Sequence, residues 1–252
     1  MRTVLRPHSG QRRWAARKNR RTAIVPLVRG DHESHDFRME RTPAPGLTDP
    51  ALLSSPLRKL VAERVLSSEE TSVAHHSLRT YLFATKLAEH RGLRRDVDYD
   101  DDALFFATVL HDLGLSDEGD ARPDRFEIAG ADLAVEFLRE HGVQPETTDI
   151  VWDAIALHTV PGIAQRKGIV CELTFAGSAL DFGQDSDFMS DEEAVVINDA
   201  FPRLDVTSVM PAVVVGQVER NRAKAPHLSA ADIFYRSVHG LELDFITRWG
   251  AS

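Results

Sequence analysis

An all-α fold is predicted by this sequence, and three observations carry the prediction. From Leu47 onward apolar residues recur at spacings of three and four, caps and glycine stops bracket those runs, and the strand-like stretches Val195-Val196-Ile197 and Val213-Val214-Val215 both lie inside longer helical patterns. A period of 3.6 residues gathers such positions onto one buried stripe. With 252 residues, 42% of them hydrophobic, the chain can close one large helical domain around a substantial core.

Residues 1–46 show neither helical nor strand periodicity, and Pro43, Pro45 and Gly46 punctuate their end. They read as a basic, disordered N-terminal arm ahead of a helical domain over residues 47–252. A solvated tail, a nucleic-acid or targeting arm, and mistranslated sequence upstream of a true initiator at Met39 are the three readings of this arm. In the domain, Ser55 before Pro56 forms an N-cap with proline at the first helical position, leading into Leu57, Leu60, Val61 and Val65. The next helix runs from Thr71 to His90 and stops at Gly92. A third, Asp100 to Leu113, carries acids in its first turn, where the helix dipole favours them. Further helices are expected over 126–141, 146–159, 169–182, 190–200, 207–223 and 229–247. The Ser116–Arg125 segment reads as a lid or a plain solvated loop.

Charge narrows the partners. Residues 1–30 carry nine Lys and Arg and no acid, which leaves 21 bases against 39 acids in the rest of the chain. Such an acidic body repels phosphate backbones, so the domain itself is not expected to bind nucleic acid. One cysteine, Cys171, excludes an internal disulfide and a cysteine-rich zinc site. No run of about 18 apolar residues is present, and a cytoplasmic protein with a small-molecule substrate and no membrane partner is expected. The apolar stripe Ile233, Phe234, Leu241, Phe245 and Ile246 reads as core or as a homo-oligomer interface.

The chemistry concentrates at Val109-Leu110-His111-Asp112-Leu113-Gly114, where an apolar helix ends at a glycine with two metal-ligand types side by side. Val73, His76, Thr80, Phe83 and Leu87 share a stripe that turns His76 inward and His75 away. A lone inward histidine is more often a satisfied core residue, so its meaning depends on its company. Asp181 follows Thr174, Gly177 and Ser178 on an inner face, where an ionised carboxylate needs a cation or donors; its other reading, a water-facing helix end, is electrostatically poor. His76, His111, Asp112 and Asp181 form a two-nitrogen, two-oxygen candidate set suited to zinc, manganese or ferrous iron. An ion there would turn water into a nucleophile near neutral pH.

His158, at a helix end beside Thr159, is the candidate proton shuttle or substrate-orienting group; the competing reading is a histidine interacting with the helix dipole. Glu127, in the first turn of its helix, is a candidate pocket carboxylate, and Arg79 is a candidate clamp for Glu127, Asp112 or substrate phosphate. His141 reads as a solvent-facing cap, so no second metal set is apparent.

The ordered spacing of His76, His111-Asp112 and Asp181 resembles the HD superfamily of metal-dependent hydrolases. The stretches His76-Ser77-Leu78-Arg79-Thr80-Tyr81, Phe126-Glu127-Ile128-Ala129-Gly130-Ala131, His158-Thr159 and Ala176-Gly177-Ser178-Ala179-Leu180-Asp181-Phe182-Gly183 resemble its cyanamide hydratase-like branch. The resemblance implies an HD-type helical bundle with its metal site between helices. It makes His76, His111, Asp112 and Asp181 the ligands of one divalent ion, zinc in that branch. It also implies hydration of cyanamide to urea; for that reaction His158, Glu127 and Asp112 are the catalytic set expected from the residues themselves, with Arg79 and Thr159 expected near the substrate. A phosphohydrolase acting on a nucleotide or other phosphomonoester, with Glu118 as a general acid, is the alternative. A metal-binding domain without turnover is the second alternative.

Overall fold

A computed structural model of the protein describes residue 46 and residues 52–242. The basic arm with Met39 and the end of the last expected helix, with Phe245 and Ile246, lie outside the described residues. The helices are α1 (Pro56–Ser68), α2 (Thr71–His90), α3 (Asp101–Leu110), α4 (Asp117–Asp120), α5 (Phe126–Glu140), α6 (Pro145–Leu157), α7 (Ala164–Lys167), α8 (Ile169–Asp181), α9 (Asp191–Ala200), α10 (Val206–Arg220) and α11 (Ala230–His239). No strand occurs among the described residues; the two valine-rich runs lie in α9 and α10. No helix among them is long and apolar enough to cross a membrane.

The caps act as the residue types require. The Ser55 hydroxyl accepts the Arg58 N–H at 3.2 Å, and Ser190 with Glu193 closes a full capping box on α9. α2, α3, α5, α6 and α8 enclose the main core, in which Leu78, Leu104, Phe105, Leu110, Leu138, Ile155 and Leu173 are fully buried. A second apolar cluster joins Val73, Leu115 and Phe126 to Val206, Met210 and Val214 on α10. This lays the α10–α11 pair beside the polar centre.

α2 packs along α8, and Gly177 sets their separation. A methyl group at Gly177 would lie 2.5 Å from the Thr80 carbonyl oxygen and 2.9 Å from the Ala84 side chain. One turn further along α8 is Asp181, and one turn back along α2 is His76, so the antiparallel pair brings those two residues together. Gly177→Ala is expected to cost about 1–3 kcal/mol by overpacking, measured by chemical denaturation. Unchanged stability would show that α2 and α8 separate freely.

Among the corrected expectations are the ends of two helices and the character of one loop. α3 ends at Leu110 rather than Leu113, with His111 as its C-cap and a single 3-10 turn over Leu113–Leu115. The chain must turn there because Gly114 lies against the Phe126 carbonyl, leaving no room for a side chain. α11 stops at His239, before Gly240 in the left-handed conformation. The segment after the His-Asp pair is not a loose loop: it carries α4, whose Gly119 carbonyl accepts from the buried Lys224 ammonium at 2.8 Å. Phe234 is half-buried, whereas Ile233 and Leu241 are about half exposed.

Candidate metal centre

The break in α3 resolves how two adjacent residues serve one site. His111 keeps helical backbone angles, but Asp112 leaves them (φ −101°, ψ 9°), so its carboxylate swings back toward the His111 ring instead of standing a helical step away. His76 Nε2 lies 3.2 Å from His111 Nε2. Asp112 Oδ2 lies 3.2 Å from His111 Nε2 and 3.8 Å from His76 Nε2. All three side chains are buried.

The other nitrogen of each ring fixes its tautomer. His76 Nδ1 donates to Asp181 Oδ2 at 2.6 Å, and His111 Nδ1 donates to the Thr108 carbonyl at 2.7 Å. Both Nε2 lone pairs therefore face each other beside a carboxylate, an arrangement that repels itself unless something positive sits between them. Asp112 Oδ2 is buried and accepts no hydrogen bond, a rare condition for a carboxylate oxygen. The donor set fits a divalent ion, and these three residues alone among the described ones form such a group.

The electrostatics favour positive charge. Burial would raise the Asp112 carboxyl, but His111, His158 and His76 outweigh it and hold it well below the usual carboxylate range. Burial works against a charged His111, yet the adjacent Asp112 raises it above the ordinary imidazole value. His76 is lowered, chiefly by burial, although Asp181 opposes this.

Asp181, expected as the fourth ligand, is not in the group of three whose ligand atoms converge. Its oxygens are taken by His76 Nδ1, by Arg79 Nε and Nη2 at 2.8 Å each, and by Arg203 Nη1 at 2.7 Å. It sits behind the His76 ring and orients it, as outer carboxylates do for metal-bound histidines. Helical periodicity turned Asp181 inward, but it could not tell which helix, or which ring nitrogen of His76, it would meet.

Arg79 pairs with Asp181 instead of Glu127 or Asp112, and it does not line the cavity beside the centre. It is fully buried, paired in a fork with Asp181, and its Nη1 donates to the carbonyls of Phe201 and Pro202. Glu127 is fully buried too. Arg125 Nε donates to it at 2.9 Å and the Thr159 hydroxyl at 2.7 Å, so it anchors the cavity wall through Thr159 without touching the cavity.

His75 turns away from the centre, to the Pro202 carbonyl, and exposed His141 bonds the Phe137 carbonyl. Glu118 is exposed and ion-paired with Arg64.

The centre opens onto a cavity of about 340 Å³ whose wall includes His76, Asp112, His158 and Thr159. His158 caps α6 and donates from Nδ1 to the Ile155 carbonyl at 2.7 Å, leaving Nε2 3.7 Å from Asp112 Oδ1. Burial, with His111 adding to it, pushes its pKa down to about 4, so the ring is neutral near pH 7. Sequence reasoning missed Arg203 and the walls supplied by Phe182, Met210, Val214 and Phe234. Phe182 lies inside a family-like stretch, and Phe234 belongs to the apolar stripe expected as core or interface.

No curated protein matches the chain. The model of the HD domain matches residues 73–200, just over half of the chain, from α2 through α9. That segment holds His76, His111, Asp112 and Asp181, and it accounts for the all-helical architecture and for a divalent-metal centre of the metal-dependent hydrolase type. The chain belongs to the HD-domain family.

Proposed function

We propose that the protein hydrates a small neutral nitrile, cyanamide to urea in the simplest case, with water activated by a zinc ion held by His76, His111 and Asp112. The observation that carries this reading is the cavity wall: among the described residues that line it there is no lysine and no arginine. A phosphomonoester dianion demands cationic groups around the metal, whereas a linear neutral nitrile needs a dry pocket, polarisation and a proton relay. A bound divalent ion supplies Lewis acidity and a water of lowered pKa.

The chain's own residues supply the rest. In this reading His158, neutral and with its acceptor nitrogen 3.7 Å from Asp112, takes the proton from the attacking water and returns it to the nitrile nitrogen. Glu127 holds Thr159 at the wall. Asp181 and Arg79 fix the His76 ring. Ferrous iron or manganese suits the same donors, and zinc is the first ion to test.

The phosphohydrolase alternative draws support from the family's hydrolase character, but its expected general acid, Glu118, is paired with Arg64 and does not line the cavity. The deciding experiment is to supply zinc-loaded protein with cyanamide and with p-nitrophenyl phosphate in parallel. Urea without nitrophenol supports the hydratase reading; nitrophenol without urea overturns it. His158→Ala is expected to leave zinc content unchanged and lower turnover by about 10²–10⁴-fold, the usual contribution of a positioned acid–base group. Loss of zinc from that variant would make His158 a ligand instead.

A further inference from the structure

Cyanamide has three non-hydrogen atoms and fills roughly two waters' share of volume, about 60 Å³. The cavity at the metal centre is about 340 Å³, within the range of pockets that enclose substantial organic ligands. The wall beyond the polar residues is apolar and largely aromatic: Phe175 and Phe182 come from the α8 side, and Met210, Val214 and Phe234 from α10 and α11. The Phe182 ring stands 5.0 Å from the His76 ring, and Phe126 stands 5.8 Å from His158. Two phenylalanine rings therefore stand beside the histidines of the centre and line the same cavity.

Water filling such a space is released favourably by an apolar group of matching size. A flat ring gains further from edge-to-face contact with neighbouring phenylalanines. Met210, Val214 and Phe234 lie outside the segment matched by the HD domain, residues 73–200. The metal-binding half of the site thus lies inside the family segment, and the opposite wall lies outside it.

We infer that the site is shaped for a nitrile carried on an aromatic body, with the nitrile at the metal and the ring against the wall of Phe182, Met210, Val214 and Phe234. The inference rests on the nitrile-hydration reading above. In the reaction the water oxygen forms a bond to the nitrile carbon, the carbon–nitrogen triple bond becomes the single bond of an amide, and both water protons finish on nitrogen. Nothing leaves, and no oxidant or reductant is required. Benzonitrile would give benzamide.

The test is kcat/KM for benzonitrile and cyanamide on the same zinc-loaded protein, repeated with Ala230→Trp, which narrows the cavity from the first turn of α11. Benzonitrile is expected to exceed cyanamide by at least about tenfold, a difference within reach of apolar-pocket discrimination. In Ala230→Trp that ratio is expected to fall toward one. Cyanamide turned over as well as benzonitrile, or better, overturns this inference and leaves nitrile hydration standing. No hydration of either compound by fully metallated protein overturns both. The wild-type comparison decides the matter even if the variant fails to fold. Protection of the wild-type protein against thermal unfolding by benzamide, and not by urea, is the expected binding counterpart.

Discussion

Asp112→Ala is expected to abolish zinc binding and turnover together. Asp112 is the one anion among the three groups that converge on the centre, and its Oδ2 faces both imidazoles without a hydrogen bond of its own. Removing it leaves two neutral rings in a buried site, which cannot offset the desolvation of a divalent ion. The loss of affinity should exceed the roughly 10–100-fold that follows when only an outer partner of a ligand is removed. Zinc per chain and urea formation, measured on one preparation, check this; one zinc retained per chain would remove Asp112 from the centre.

Arg79→Met is expected to give the largest loss of stability. Both partners of the Arg79–Asp181 fork have fully buried side chains, and Arg79 also ties down the Phe201 and Pro202 carbonyls. Truncating one member of a buried ion pair leaves an uncompensated charge and costs about 3–5 kcal/mol. In a domain of this size that lowers Tm by roughly 6–20 °C.

Arg203 cannot replace it, because it approaches Asp181 from the surface with a third of its side chain exposed. With Asp181 less firmly held, the hydrogen bond that orients His76 weakens, and zinc affinity should fall about 10–100-fold. Chelator competition read beside thermal unfolding separates the two effects. An unchanged Tm would mean that Asp181 finds other compensation.

The helices were legible because their signals are local. Ser55-Pro56, Ser190 with Glu193, and glycines just past helix ends each act within one turn of themselves. The same locality made His76 and the His111-Asp112 pair readable, since a stripe of apolar residues fixes which side chains turn inward.

What the sequence hid depends on contacts between distant segments. Asp181 was expected on an inner face and is buried, yet its partner, the Nδ1 side of His76, is decided by the Gly177–Thr80 contact. The end of α3 depends on Gly114 lying against α5, which no pattern within α3 records. Arg203 follows a helix end and looks like any surface arginine until α9 and α10 bring it to Asp181. Phe234 of α11 read as core or interface because periodicity cannot distinguish a wall that faces protein from one that faces a cavity.

The most direct measurement is a titration of metal-free protein with zinc while urea formation from cyanamide is followed. The expected result is no turnover without metal, a linear rise, and a break at one equivalent per chain, where His76, His111 and Asp112 are filled. Full turnover by the metal-free protein would contradict the account.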